Sequence, residues 1–248
     1  MECYKGYIDK GYMPKEYPNV WVKNFSSLEE FKSVPKHGVA VSTDEICKTN
    51  SLTDSGCVIS TLDDNPGRAF RTIKGINFYE YMPFLGAKVH DILSPLQKDI
   101  KLTEFPKYLL TINNIPVGEE IVYYPNHIAL YDYVTEDWLE KHSFKEIYQI
   151  YFAILDILLE LDKLNIVYED IHGGNFLVNP DDLSVKLIDF EWPHVFIGNY
   201  KKTMLSNLKN LINYLNQQIG LTFSDQSFLN GNDLNEVKRV LEKENKNR

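Results

Sequence analysis

The sequence predicts an α+β fold, with a strand-rich first half and a helical second half. From Gly38 to about Tyr124, short strand-like runs alternate with turn residues, a pattern typical of strands. From Phe144 onward, apolar residues recur three and four positions apart, which places them on one face of a helix. At 248 residues, the chain can bury an adequate core as one large domain or as two lobes.

The clearest signal in the first half is a hairpin. Residues 57–62 and 69–74 flank Asp63-Asp64-Asn65-Pro66-Gly67, whose residue types favour a turn. Two further strands are expected at residues 108–112 and 120–124, which are rich in β-branched and aromatic residues. The first half therefore predicts several short strands joined by turns.

A long helix is predicted from about Phe144 to Leu164. Ser143 and Glu146 form a capping box, which satisfies exposed amide groups at a helix start. The apolar positions that form its wide face are Phe144, Ile147, Tyr148, Tyr151, Ile154, Leu155, Leu158 and Leu161. Residues 166–168 then predict a short strand that enters a polar loop.

The polar loop carries the residues that point to chemistry. Asp170 is followed five residues later by Asn175, and fourteen residues beyond that by Asp189. Phosphoryl transfer from ATP needs a carboxylate to orient the acceptor hydroxyl and oxygen ligands for magnesium on the phosphates. Asp170 could supply the first, and Asn175 with Asp189 the second. The alternative is a surface loop that contains these residues by chance.

The residues after the loop predict a second hairpin. Residues 176–178 and 185–188 are apolar runs joined through residues 179–182, whose types favour a turn. Such a hairpin would bring Asn175, at the start of one strand, close to Asp189, at the end of the other. Two oxygen ligands that are distant in sequence would then meet at one place, as a metal site requires.

This order of helix, strand, polar loop, hairpin and Asp resembles the catalytic core of the protein-kinase-like superfamily. Its catalytic loop carries an Asp followed five residues later by an Asn, and its metal-binding Asp lies in Asp-Phe-Gly. The specific match covers roughly Ser143 to Glu191. The resemblance implies that Asp170 is the catalytic aspartate, that Asn175 and Asp189 are the magnesium ligands, and that ATP is the phosphate donor.

Departures from the superfamily pattern bear on the branch. Tyr168-Glu169-Asp170 stands in place of His-Arg-Asp, so the arginine that usually receives an activation-loop phosphate is missing. Residues 170–175 are similar to the Asp-Leu-His-Pro-Gly-Asn of aminoglycoside and choline phosphotransferases. Glu191 replaces the glycine of Asp-Phe-Gly, as in choline kinases and the kinase domains of lanthipeptide synthetases. His172 could contact a phosphate or the acceptor, or brace the backbone by hydrogen bonding.

The resemblance implies a two-lobed fold. Residues 38–125 would form the strand-rich, nucleotide-binding lobe and residues 126–248 the short helical, catalytic lobe. The hinge is expected near Tyr124 to Asn126. Residues 1–37, rich in Tyr, Pro and Lys, would form an extension that packs on the domain.

The stretch after Asp189 predicts two amphipathic helices, at about residues 205–219 and 234–241. No Ala-Pro-Glu follows Phe190, and the gap before the first helix is too short for the long activation segment of eukaryotic protein kinases. The short second lobe is similar to that of RIO-type and other compact atypical kinases.

Nucleotide contacts are expected from the first half. Gly56 is the single glycine of Thr53-Asp54-Ser55-Gly56, the candidate for a loop whose amides approach the phosphates. The resemblance also implies a lysine at a strand end that contacts the phosphates, and Lys74 fits that position. The open alternatives are Arg71 and Arg68 for the lysine's role, and Glu80 or Asp91 for its carboxylate partner.

Composition sets the expected partners and compartment. The formal net charge of −9 argues against nucleic acid as the main partner. No apolar run approaches the ~20 residues that cross a bilayer, which predicts no membrane partner. Cys3, Cys47 and Cys57 lack metal-ligand spacing and are expected to be free thiols in a reducing cytoplasm.

The sequence therefore predicts an ATP- and magnesium-dependent kinase. Ser or Thr of a protein is favoured as the acceptor over a small-molecule alcohol of the aminoglycoside type, because no substrate-enclosing insertion is evident. A pseudokinase that binds but does not transfer phosphate is the other alternative. The glycine-poor phosphate loop favours it, whereas the presence of Asp170, Asn175 and Asp189 opposes it.

Overall fold

The computed structural model has a mixed α+β fold, as predicted, and forms two compact units. It describes residues 21–42, 56–74, 89, 91–106, 108–113, 115–190, 194–198, 202–223 and 232–247. Among these, the first unit comprises the described residues up to Lys98, with Phe105–Pro125 and Phe190. The second comprises Asp99–Glu104, Asn126–Asp189 and the described residues from His194 onward.

A sheet dominates the first unit. Its strands are β1 (Val22–Phe25), β2 (Lys36–Ser42), β3 (Gly56–Leu62), β4 (Asn65–Lys74), β5 (Tyr108–Ile112) and β6 (Ile115–Val122). The spatial order is β1-β5-β6-β4-β3-β2. β1 is parallel to β5, and every other pair is antiparallel. A short 3₁₀ helix, Ser94–Asp99, lies outside the sheet.

Two strand predictions for this unit need correction. β3 and β4 pair antiparallel as predicted, but only Asp63 and Asp64 form the turn, and Asn65–Gly67 already belong to β4. The strand predicted at residues 120–124 is instead Ile115–Val122. Pro116 concealed its start, since proline donates no ladder hydrogen bond. A register irregularity between Leu110 and Thr111 lies at this point of the β5–β6 pairing.

The N-terminal segment contributes to this sheet and its core. Ser27 caps the short helix α1 (Leu28–Ser33) by accepting a hydrogen bond from the Glu30 amide. Phe25 packs edge-to-face on Phe31 and on Phe70, with ring centroids 5.2 and 6.1 Å apart. Strand β2 runs across the boundary predicted between residues 37 and 38. Residues 1–20 lie outside the described residues.

Helices make up most of the second unit. They are α2 (Leu130–Tyr133), α3 (Trp138–Lys141), α4 (Phe144–Lys163), α5 (Lys202–Gln218) and α6 (Leu234–Lys246). α4 confirms the predicted long helix, and its capping box is present, with the Glu146 carboxylate accepting from the Ser143 amide at 2.6 Å. α5 and α6 confirm the two later predictions. None of the helices described in the structure is long and apolar enough to span a membrane.

Two small sheets complete the second unit. β7 (Ile128–Ala129), β9 (Phe176–Val178) and β10 (Val185–Leu187) form one sheet in the order β10-β9-β7. β8 (Ile166–Tyr168) and β11 (Val195–Ile197) form the other. The β9–β10 pair is the predicted second hairpin. The polar loop leaves β8 and enters β9, so each small sheet fixes one end of it.

Candidate functional site

The second hairpin brings Asn175 and Asp189 together at the backbone level. Leu187 pairs with Phe176 in the antiparallel register of β10 and β9. One step beyond, the Ile188 amide donates to the Asn175 carbonyl at 2.9 Å. Asp189 follows Ile188 directly. The backbones of Asn175 and Asp189, fourteen positions apart in sequence, are therefore close together, as the sequence predicts.

Asn175 also holds the side chain of Asp170. Its Nδ2 donates to Asp170 Oδ2 at 2.8 Å and to the Asp170 carbonyl at 3.0 Å. The Asn175 side chain is buried, at 4% exposure. Because this nitrogen serves Asp170, a metal ion would meet the other polar atom, Oδ1, which is the atom of an asparagine side chain that binds Mg²⁺. Asn175 can therefore hold Asp170, the candidate base, through its nitrogen and offer its oxygen to a metal ion.

The Asp170 carboxylate is favoured in its charged form. His172 Nε2 lies 3.5 Å from Asp170 Oδ2. This hydrogen bond is the largest of the effects that lower the pKa of Asp170, and the hydrogen bond from Asn175 acts in the same direction. Partial burial of the carboxyl opposes them without reversing the shift. At neutral pH Asp170 is therefore a carboxylate, the form that can accept a hydroxyl proton.

His172 also braces the loop, one of the two roles considered from the sequence. Its Nδ1 accepts a hydrogen bond from the Gly174 amide at 3.1 Å. An Nδ1 that accepts leaves the ring proton on Nε2, the nitrogen that faces Asp170. One neutral imidazole can therefore hold both the backbone and the carboxylate. A side chain on Gly174 would crowd this ring, since a Cβ there would lie 2.9 Å from His172 Cε1.

Tyr168 is a site residue that the sequence reasoning did not assign. Its side chain is fully buried at the end of β8. The hydroxyl accepts from Asn175 Nδ2 at 3.0 Å and lies 3.0 and 3.2 Å from the carbonyl oxygens of Ile188 and Asp189, to which it donates. A buried tyrosine hydroxyl needs hydrogen-bond partners. A tyrosine at the end of a short buried strand, just before the polar loop, therefore indicates that its hydroxyl bonds to residues of the site. Tyr168 thus fixes the backbone of Asp189 relative to Asn175.

The backbone of Asp189 is left-handed, with φ of +64°. This region crowds the Cβ of most residues, although Asp and Asn enter it more readily than others. β10 ends at Leu187, and the chain leaves the extended conformation at Asp189. Strained residues of this kind concentrate at functional sites, and they persist only where neighbouring contacts impose them. Here the hydrogen bond from Tyr168 to the Asp189 carbonyl is one such contact.

Gly56 and Lys74, the residues predicted to contact nucleotide phosphates, lie opposite each other in the β3–β4 register. Arg71, the first alternative to Lys74, has its Nη1 atom 4.0 Å from a Glu119 carboxylate oxygen on the neighbouring strand β6. Of the two candidate partners of Lys74, Asp91 is described and Glu80 lies outside the described residues. Residues 53–55 of the predicted phosphate loop also lie outside them.

Among the residues that the structure describes, no group of three or more His, Cys, Asp or Glu side chains is arranged to hold a metal ion. Magnesium at a nucleotide site usually takes only one or two protein ligands, and phosphate and water oxygens complete its shell. The oxygen donors of Asn175 and Asp189 fit that requirement as a donor set.

No protein-family model matches the sequence.

Replacing His172 with leucine should raise the pKa of Asp170, because it removes the hydrogen bond that lowers this pKa most. A carboxyl whose pKa is lower in the folded state than the unfolded-state value of ~3.9 stabilises the fold at pH above that value. This stabilisation is lost as the pH falls through the folded-state pKa. His172→Leu should therefore reduce the acid dependence of stability. Titration of the Asp170 carboxyl carbon by NMR measures the shift directly.

The matched control for this prediction is His172→Gln, whose amide can still donate to Asp170. The glutamine variant should titrate closer to the parent protein than the leucine variant does. An unchanged Asp170 titration in His172→Leu would contradict the role assigned to this imidazole.

Proposed function

We propose that this protein is an ATP-dependent phosphotransferase that moves the γ-phosphate of Mg-ATP to a hydroxyl group. One observation carries the proposal. The charged Asp170 carboxylate accepts a hydrogen bond from the side chain of Asn175. The backbone carbonyl of Asn175 accepts a hydrogen bond from the Ile188 amide, and Ile188 directly precedes Asp189, the second acidic residue. One carboxylate for the hydroxyl and two oxygen donors for magnesium are what phosphoryl transfer requires.

In the proposed reaction, Asp170 orients the acceptor hydroxyl toward the γ-phosphorus and takes its proton as the new P–O bond forms and the bond to the β-phosphate oxygen breaks. Asn175 and Asp189 would hold magnesium, which would neutralise charge on the phosphate oxygens. Such transition states are loose, so positioning and electrostatic stabilisation supply most of the rate enhancement.

We further propose that the fold belongs to the protein-kinase-like type. The order α4, β8, loop, β9–β10 hairpin and Asp189 supports this, since it is the order on which the resemblance rests. The strand-rich first unit and the helical second unit also agree with it. Because Glu169 occupies the place of the arginine that usually receives an activation-loop phosphate, the enzyme should be competent without phosphorylation.

A radiolabel-transfer screen tests the proposal. The protein is incubated with γ-labelled ATP and magnesium, together with generic Ser/Thr proteins and peptides in one arm and small alcohols, including aminoglycosides and choline, in another. Transfer to the proteins or peptides that is abolished by a chelator is the expected result. Transfer only to small alcohols would identify a small-molecule kinase. The proposal would be overturned if no acceptor is labelled and Mg-ATP does not raise the Tm.

A further inference from the structure

A strip of exposed rings begins beside Asp170. The His172 side chain, 43% exposed, lies next to Asp170, and its ring stacks on Tyr131 with centroids 6.3 Å apart and planes 24° from parallel. Tyr131 in turn meets Tyr214 edge-to-face at 5.0 Å. Both tyrosines are exposed, by 38% and 43%. We call His172, Tyr131 and Tyr214 the aromatic strip.

The aromatic strip is fixed relative to the catalytic loop. The ring of Tyr131 covers Gly173 so closely that a Cβ on this glycine would lie 2.2 Å from Tyr131 Cδ1. On the other side, Asn207 of α5 donates from Nδ2 to the Glu169 carbonyl at 2.6 Å. Tyr214 lies seven residues after Asn207, two helical turns along the same face of α5. Solvent-exposed tyrosines held this way form a preorganised surface rather than two separate side chains.

The charged residues that the structure describes next to the aromatic strip include two carboxylates. Asp170 borders one end, and Asp132, which is exposed, directly follows Tyr131. The described lysines of α5, Lys202 and Lys209, point roughly 120 and 140° away from Tyr214 around the helix. The row that contains Tyr214 instead presents uncharged amides, among them Asn207 and Asn210. The faces of phenol rings are themselves electronegative and attract cations.

We propose that the aromatic strip binds an arginine or lysine side chain of a polypeptide acceptor, within a few residues of the hydroxyl that Asp170 receives. His172 contacts both Asp170 and Tyr131, so a cation held by the tyrosines would belong to a residue near that hydroxyl. A cation over the tyrosine faces is complemented by the carboxylates of Asp132 and Asp170. This inference rests on the proposed phosphotransferase function and adds an acceptor class to it.

Direct peptide binding tests the proposal without requiring turnover. Pairs of serine peptides are compared, identical except that one carries arginine and the other citrulline, its uncharged isostere, at a position two, three or four residues from the serine. Fluorescence anisotropy should give a Kd about tenfold lower for the arginine peptide of at least one pair, since each tyrosine face contributes about two- to fivefold. Tyr131→Leu and Tyr214→Leu should each reduce that preference, whereas Tyr131→Phe, which keeps the ring, should retain it.

Phe144→Leu is the control, because Phe144 is an exposed aromatic residue of the same unit outside the aromatic strip. This variant should leave the preference for arginine unchanged. Equal affinity for the two peptides of every pair, or a preference that survives both tyrosine-to-leucine variants, would overturn the proposal. The proposal would also be overturned if an amino alcohol displaced the fluorescent arginine peptide more strongly than the unlabelled arginine peptide does.

The outcomes separate this inference from the proposed function. A protein that labels serine peptides from ATP but binds the arginine and citrulline peptides equally keeps the function and loses the inference. A protein that prefers the arginine peptide but transfers no phosphate keeps a cation-binding strip and loses the phosphotransferase proposal.

Discussion

Asp170→Asn should lower the rate of phosphoryl transfer by roughly two to four orders of magnitude, the contribution of a positioned acid–base group. An asparagine at this position cannot take a proton from the acceptor. Its Oδ1 can still accept the hydrogen bond that Asn175 Nδ2 now gives to Asp170 Oδ2 at 2.8 Å. The fold and the affinity for Mg-ATP should therefore change little, and the loss should appear in kcat.

Single-turnover kinetics with γ-labelled ATP measure this effect, and thermal unfolding reports on the fold. Asp181→Asn is the matched control, because Asp181 is an exposed residue of the β9–β10 turn and its loss of charge should leave the rate unchanged. A variant Asp170→Asn as active as the parent would show that another group receives the proton. A large drop in Tm would instead assign Asp170 a structural role.

Local patterns were sufficient to predict the elements that surround the site. The α4 helix follows from its apolar periodicity and from the Ser143–Glu146 cap, and both signals lie within a few residues of one another. The β9–β10 hairpin follows from a short turn between two apolar runs. Once that hairpin is known, the approach of Asn175 to Asp189 is a matter of register.

Features that depend on distant pairing escaped prediction. β7 and β11 are two and three residues long and exist because they pair with β9 and β8. The start of β6 was hidden by Pro116, whose strand is nevertheless paired on both sides. Long-range pairs of this kind leave little trace in the local sequence.

Side-chain contacts within the site are the other part that the sequence could not supply. The sequence predicts a short strand that includes Tyr168. The hydrogen bonds from its hydroxyl to the carbonyls of Ile188 and Asp189 form only when the β9–β10 hairpin is folded. The closeness of Tyr131 to Gly173 likewise joins residues more than 40 positions apart. Both contacts help to position the polar loop between β8 and β9.

Asp189→Asn should abolish the magnesium-dependent part of the stabilisation that we expect ATP to give the protein. Asparagine keeps the shape and tolerates the left-handed backbone of this position, at φ of +64°, but it removes the negative charge that attracts the metal. A ligand present at 100 times its Kd stabilises a fold by about 2.7 kcal/mol. That increment, measured as the difference between ATP with magnesium and ATP with a chelator, should fall to nearly zero.

Comparing Asp189→Ala with Asp189→Asn separates the metal effect from the backbone effect. Alanine lacks the local hydrogen bonding that helps Asp and Asn adopt a left-handed conformation, so the ligand-free alanine variant should be less stable by about 1 kcal/mol. Asn165→Ala is the matched control, since Asn165 also has a positive φ, of 56°, and takes no part in the proposed site. It should lose similar stability yet keep the full response to Mg-ATP. If Asp189→Asn is still stabilised by Mg-ATP as strongly as the parent protein, Asp189 does not bind the metal, and the proposed magnesium site must be abandoned.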